Sequence, residues 1–167
     1  MQIKSKLTNR LGQLLDYIYY EELDPNQNLE DKILWIVHGF CFCGDKMVLV
    51  KHPKTGWMPA GGHIEEGESV EEAVIREVLE ETNMKVLHQE LIGFIDVYEP
   101  DKTVRQTRSF CIVEPYGDFV SDPDGEIMEI KLIDPKDYKQ YFDWKETGDR
   151  IMQRALEMLK EYNEKNL

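Results

Sequence analysis

A chain of 167 residues with 41% hydrophobic side chains has material for one domain with a genuine core and room for an extension. Its 33 acidic residues against 20 Lys and Arg give a formal charge of −13, which argues against a sequence-independent grip on DNA or RNA. Cys41, Cys43 and Cys111 are odd in number and lack CxxC spacing, so reduced, mostly buried thiols are expected rather than a disulfide framework or a zinc site.

In chain order, the N-terminus shows no apolar run ending in a small-residue cleavage site. The most apolar stretch, residues 33–37, is too short to cross a bilayer, so a soluble cytoplasmic protein is expected. Leu7, Leu11, Leu14, Leu15 and Ile18 recur at helical spacing, predicting an amphipathic helix over roughly residues 8–22 that Asp24-Pro25-Asn26 ends. Residues 1–28 are thus expected to be an N-terminal helical extension ahead of a domain over 29–167. Residues 33–42 and 47–51 are rich in β-branched and aromatic side chains, with Gly44-Asp45 as the turn between two antiparallel strands. Residues 52–67 are punctuated by proline and glycine and predict a loop. Ser69 and Glu72 form a capping box, so a helix begins at Val70 and runs to about Thr82. Strands are predicted over 86–98 and 104–113, joined at 99–102, and over 127–133 after a turn-rich stretch. Asp134-Pro135 marks a helix start, and residues 148–161 form a last helix with Ile151, Ala155, Leu156 and Leu159 inward. This order predicts an α/β fold, a mixed sheet sandwiched by helices.

On a wheel of about 100° per residue, Glu77, Glu80 and Glu81 share one arc, beside an apolar arc of Val74, Ile75, Val78 and Leu79. A solvated acidic face is one reading, because like charges at this spacing cost an exposed helix only about 0.2–0.5 kcal/mol per pair. A divalent-cation site is the other. Gly61, Gly62 and Gly67 in the preceding loop favour it by letting backbone approach a ligand, and magnesium takes carboxylates together with substrate phosphates. His63 stands in that loop within conceivable reach of a phosphate, although an exposed loop histidine is the simpler reading. Among Lys51, Lys54, Arg105 and Arg108, the two arginines are candidates to offset phosphate charge, solvated surface being the ordinary fate of each. Among Phe94, Tyr98, Phe110 and Phe119, Tyr98 is the candidate to stack on a base, core being the ordinary fate of strand aromatics.

Gly62, Glu68, Arg76, Glu77, Val78, Glu80, Glu81 and Met84 resemble the box of the Nudix hydrolases, MutT-like enzymes among them, with Asn83 where that box has its last glycine. Asparagine is the usual second choice at a left-handed position past a helix end. Trp57-Met58-Pro59-Ala60-Gly61-Gly62 resembles the entry to that box, and the likeness in fold spans about residue 29 to the C-terminus. The resemblance implies the Nudix α/β/α sandwich around a mixed sheet. It implies divalent cations, magnesium with manganese as the alternative, held by Glu77, Glu80, Glu81 and the Gly61 carbonyl. Gly62 and Glu68 would be structural, with Glu68 and Arg76 pairing to hold the loop against the helix. Glu77 and Arg76 count among the catalytic residues, and the general base is either Glu77 or one of Asp122, Asp124 and Glu126, with Glu126 the choice.

The implied activity is hydrolysis of a phosphoanhydride bond in a nucleoside diphosphate linked to another moiety. A nucleoside triphosphate, oxidised ones included, is the first choice, and ADP-ribose or another nucleoside diphosphate sugar the second. Two other readings compete. A non-catalytic Nudix nucleotide sensor commonly lacks box acids that are all present here. An isopentenyl diphosphate isomerase has a cysteine-containing stretch before the box, whereas residues 51–62 contain no cysteine. The expected partner is a small nucleotide, with neither nucleic-acid polymer nor membrane, and a homodimer is left open.

Overall fold

The computed structural model describes residues 1–167 apart from Asp124 and Met128, and its N-terminus corrects the predicted helix. Strand β1 (Gln2–Thr8) turns through residues 9–12 into antiparallel β2 (Leu14–Glu21). The Asn9 side-chain oxygen accepts the N–H groups of Leu11 and Gln13, and Gly12 takes a φ of 78°, which glycine adopts without steric cost. A period of two prevails over the helical spacing: Leu15, Tyr17 and Tyr19 are buried on one face of β2, while Leu11 and Leu14, needed for a helical stripe, are exposed. The run Tyr17-Ile18-Tyr19-Tyr20 suits a half-buried strand, and it pairs with β7 (Met84–Tyr98). Residues 1–28 therefore extend the sheet.

Six further strands complete that sheet: β3 (Lys32–Cys43), β4 (Lys46–His52), β5 (Gly56–Met58), β6 (Ala60–His63), β8 (Thr103–Pro115) and β9 (Glu129–Ile133). They run in the order β1-β2-β7-β8-β3-β4-β5, with β6 added on β3 and β9 on β4. The β3–β8 pair is parallel and the other pairs are antiparallel, which makes the sheet mixed as predicted. Part of the predicted loop over 52–67 is thus strand. Met58 pairs with Val50 and His63 with Ile36, because tertiary pairing overrides local glycine and proline content.

Side chains alternate between two cores along β3. Phe40 and Phe42 face one with Tyr19 and Phe110, covered by helix α2 (Lys145–Lys165) through Ile151, Met152 and Ala155. Val37 and Cys41 face the other with Val48 and Cys111, covered by helix α1 (Val70–Thr82) through Ala73, Val74 and Val78. The result is the α/β/α sandwich. A 3-10 turn, Pro135–Gln140, stands where Asp134-Pro135 predicts a helix start, with the Asp134 side chain accepting from the Lys136 N–H. All three cysteines are free thiols, Cys41 and Cys111 buried and Cys43 partly so. Among the described residues, no helix is long and apolar enough to cross a membrane.

Candidate active site

Local chemistry sets α1 in place. Ser69 caps it by accepting from the Glu72 N–H, and the Glu72 carboxylate returns a bond from the Ser69 N–H. Asn83 ends the helix in the left-handed region, φ 56° and ψ 37°, with its N–H donated to the Leu79 carbonyl. The buried stripe differs from the predicted apolar arc. Ile75 and Leu79 are exposed, whereas Glu77 and Glu81, 8% and 6% exposed, lie on the inner face with Val74 and Val78. A solvated acidic surface is therefore excluded for these two carboxylates.

What they face is the backbone of β6. The Gly61 N–H donates to Glu81 Oε1 at 2.8 Å. A Cβ on Gly62 would come within 2.5 Å of Glu77 Oε1, so only glycine lets the strand approach this carboxylate so closely. Arg76 binds the loop to the helix: its Nε and Nη2 meet both Glu68 oxygens at 2.6 and 2.9 Å, and Nη2 also donates to the His63 carbonyl. Its Nη1 donates to Glu77 and Glu80 at 2.9 and 3.3 Å. This network raises the Arg76 pKa, chiefly through Glu68, and the same bond holds the Glu68 carboxyl below its usual range.

Burial pushes the Glu81 carboxyl up to about 8, with Glu77, Asp122 and Glu126 adding like charge against the relief given by the Gly61 N–H. Asp122 and Glu126 thus stand within electrostatic reach of the helix. Asp122 is buried and accepts the N–H groups of Glu126 and Ile127, while the Glu126 carboxylate faces solvent 3.9 Å from His52 Nε2. Asp124, the third acid considered, lies outside the described residues. Hard oxygens from Glu77, Glu80, Glu81 and the Gly61 carbonyl are the donor type that magnesium or manganese takes. A cation would favour the charged form that burial, and after it the neighbouring acids, disfavour at Glu81, so the residues fit the group. Among the described residues no three acidic, His or Cys side chains already converge as a ready ligand set, and Arg76 engages two of the candidates.

The predicted substrate contacts separate. Arg105 is not solvated: it is buried, paired with Asp96 through Nε and Nη2 and bonded to the carbonyls of Pro25 and Gln27. These bonds commit it to holding the β2–β3 connection. Tyr98 stands at the end of β7, paired with Asp16 of β2 and Thr103 of β8, and does not pair with β6. Arg108, 5% exposed, lies against His38, whose strand partner is Gly61, and over the Trp144 ring at 5.0 Å. It has no carboxylate within ion-pair distance among the described residues, and burial pushes its pKa down to about 10. Burial, with Arg108 adding to it, also holds His38 well below its ordinary value. The contact of His38 with Trp144 and that of Trp35 with His63 of β6 have no local signal in the sequence.

Residues 32–155 match the family model of the NUDIX domain. The chain belongs to the Nudix family. This Nudix chain is 46% identical over 72 residues to the uncharacterized Nudix hydrolase YvcI of Bacillus subtilis, covering 41% of this chain and 46% of YvcI. It is 32% identical over 83 residues to the putative 8-oxo-dGTP diphosphatase YtkD of the same organism, covering 50% of this chain and 51% of YtkD. Each match takes in about half the length of the curated relative. Among solved structures, the Bacillus subtilis pyrophosphohydrolase BsRppH superposes with a TM-score of 0.70 at 21% identity, covering 92% of this chain and 96% of that one. The NUDIX domain of Shewanella oneidensis NrtR, complexed with ADP ribose, gives 0.61 at 20% identity, covering 83% and 94%. At these identities the likeness shows a shared fold.

Proposed function

We propose that this Nudix chain is a magnesium-dependent hydrolase that cleaves a phosphoanhydride bond in a nucleoside diphosphate linked to another moiety. The observation that carries the reading is the pair of buried carboxylates, Glu77 and Glu81, set against the glycine backbone of β6 with Glu81 raised to about 8. Arg76 offsets the charge of Glu77, whereas Glu81 has no cationic side chain within ion-pair distance among the described residues, and a buried acid is costly unless opposite charge joins it. Glu77, Glu80, Glu81 and the Gly61 carbonyl would hold the cation. When bound, it supplies phosphate neutralisation and a more acidic water. Arg76 orients Glu77 and Glu80, and the Gly61 N–H orients Glu81. Glu126, solvent-facing at the same edge, is the assigned general base, receiving the proton of the attacking water. Arg108 is the one predicted substrate contact we retain, because it is a buried cation one strand from Gly61 with no carboxylate in ion-pair distance among the described residues.

A nucleoside triphosphate, oxidised ones included, is our first substrate, which the name given to YtkD supports. ADP-ribose or a nucleoside diphosphate sugar is second, the ligand of NrtR supporting it. The presence of every box acid supports catalysis over mere sensing. We place the protein in the cytoplasm, where such nucleotides occur and three free thiols stay reduced. The test is a substrate panel in magnesium, reading pyrophosphate against phosphate release. A triphosphate should yield nucleoside monophosphate and pyrophosphate, with isotope-labelled water entering one product only. Release of nucleoside diphosphate and phosphate would refute the assigned point of attack, and no turnover on any member would refute the hydrolase.

A further inference from the structure

Of the three tryptophans, Trp57 and Trp144 pack against the α2-side core, whereas Trp35 packs in neither core and keeps 41% of its surface exposed. A half-open indole on a rigid strand presents a large flat apolar face on which a planar ring can pack. Its position is set by a bulge. The pairing of β3 with β8 passes from Leu34–Arg105 to Ile36–Gln106, and Trp35 is the extra residue, which re-aims its ring. The ring lies on the exposed His63 imidazole, with centroids 4.7 Å apart and planes 36° apart.

Backbone bonds hold the two residues in the strands beside the acidic site. The Trp35 carbonyl accepts the Ile64 N–H at 2.9 Å. The His63 carbonyl accepts from Arg76 Nη2 at 2.9 Å, and the same guanidinium binds Glu77 and Glu80 through Nη1. One guanidinium therefore links the His63 backbone to the carboxylates proposed to hold the cation. A molecule with phosphates at those carboxylates would bring its organic end past the open face of Trp35. On a chain of charge −13, contact with the uncharged part of a nucleotide adds affinity without further repulsion.

We propose that Trp35, backed by His63, is the surface on which the nucleobase of the substrate stacks, an inference that rests on the nucleotide reading above. Stacking uses the π-face that every base has, so Trp35 sets affinity for nucleotides as a class and tolerates purine and pyrimidine alike.

The test measures binding of the α,β-methylene analogues of ATP and CTP in magnesium, by calorimetry and by tryptophan fluorescence, with inorganic tripolyphosphate as the base-free control. Both analogues should quench the wild-type protein. Trp35→Phe should keep affinity within about threefold while losing most of the quench, and Trp35→Leu should weaken both analogues about tenfold or more. Tripolyphosphate binding and melting temperature should stay unchanged in both variants. Trp35→Leu with wild-type affinity for the analogues overturns the proposal, as does a quench that survives in Trp35→Phe. So does equal loss of tripolyphosphate binding, which would mark a merely structural tryptophan. If Trp35→Leu fails to fold, the quench in Trp35→Phe decides. Trp35-dependent binding without hydrolysis of ATP or CTP supports the stack while counting against the hydrolase reading. Tripolyphosphate bound without either analogue overturns the stack alone.

Discussion

Glu81 is where burial and charge oppose each other most directly. Its carboxyl stands at about 8 in the folded chain against an ordinary 4.5, so between these values the folded state holds a proton that the unfolded chain has lost. The contribution of Glu81 to stability is then fully present below about pH 4.5 and is lost as pH rises towards 8, by at most about 5 kcal/mol at ~1.4 kcal/mol per unit. Urea denaturation of chelator-treated protein at several pH values should show this decline for wild type and a flatter profile for Glu81→Gln. The same substitution should lower turnover about a hundredfold or more, near 3 kcal/mol of lost electrostatic contribution, while the fold persists. Near-normal turnover in saturating magnesium would refute its assignment as a ligand. If the proposed site holds magnesium, the ion should raise the melting temperature, because ligands gathered by the fold bind it better than the unfolded chain would. Glu77→Gln and Glu81→Gln should shrink that rise, and Glu71→Gln, exposed in the first turn of α1, should not. Equal magnesium responses in all three variants would place the cation elsewhere.

Among the elements, α1 is the one most fully legible from sequence. Its start follows from the Ser69 and Glu72 side chains three residues apart, and its end from Asn83, a residue type that takes the left-handed backbone there. Ser69→Ala should therefore cost about 1 kcal/mol of stability in chemical denaturation, through the lost acceptor for the Glu72 N–H. An unchanged midpoint would show that the helix depends on packing alone. The inner face was less legible. A wheel shows which residues share a side, yet it does not show that β6 meets the side bearing Glu77 and Glu81 and leaves Ile75 and Leu79 in solvent. Short strands such as β5 and β6 exist only through their partners, which explains why their glycine and proline content predicts loop.

For the whole molecule, the N-terminal hairpin decides how the chain divides. β2 pairs with β7 and buries Leu15, Tyr17 and Tyr19, each contributing on the order of 1.5–3 kcal/mol by burial. Arg150 of α2 clasps Glu21 through two bonds of 2.8 and 2.7 Å, and Tyr17 donates to Thr147 at 2.7 Å. A chain restricted to residues 29–167 should therefore aggregate or melt at least about 10 °C lower, since each kcal/mol shifts a domain of this size by roughly 2–4 °C. An unchanged melting temperature in a monomeric truncated chain would show the hairpin to be dispensable. The sequence by itself determined the family pattern from Gly62 to Met84, the caps of α1, the longer strands and the acid types of the site, because turn, cap and periodic signals act over a few residues. Only the tertiary structure decided that the N-terminal leucines serve strands, that Arg105 holds a connection, that Arg108 lies buried beside His38, and that Trp35 stays open at a bulge. Those outcomes depend on partners far away in the chain, 129 residues for Glu21 and Arg150 and 80 for Pro25 and Arg105, and burial at such distances leaves no local trace.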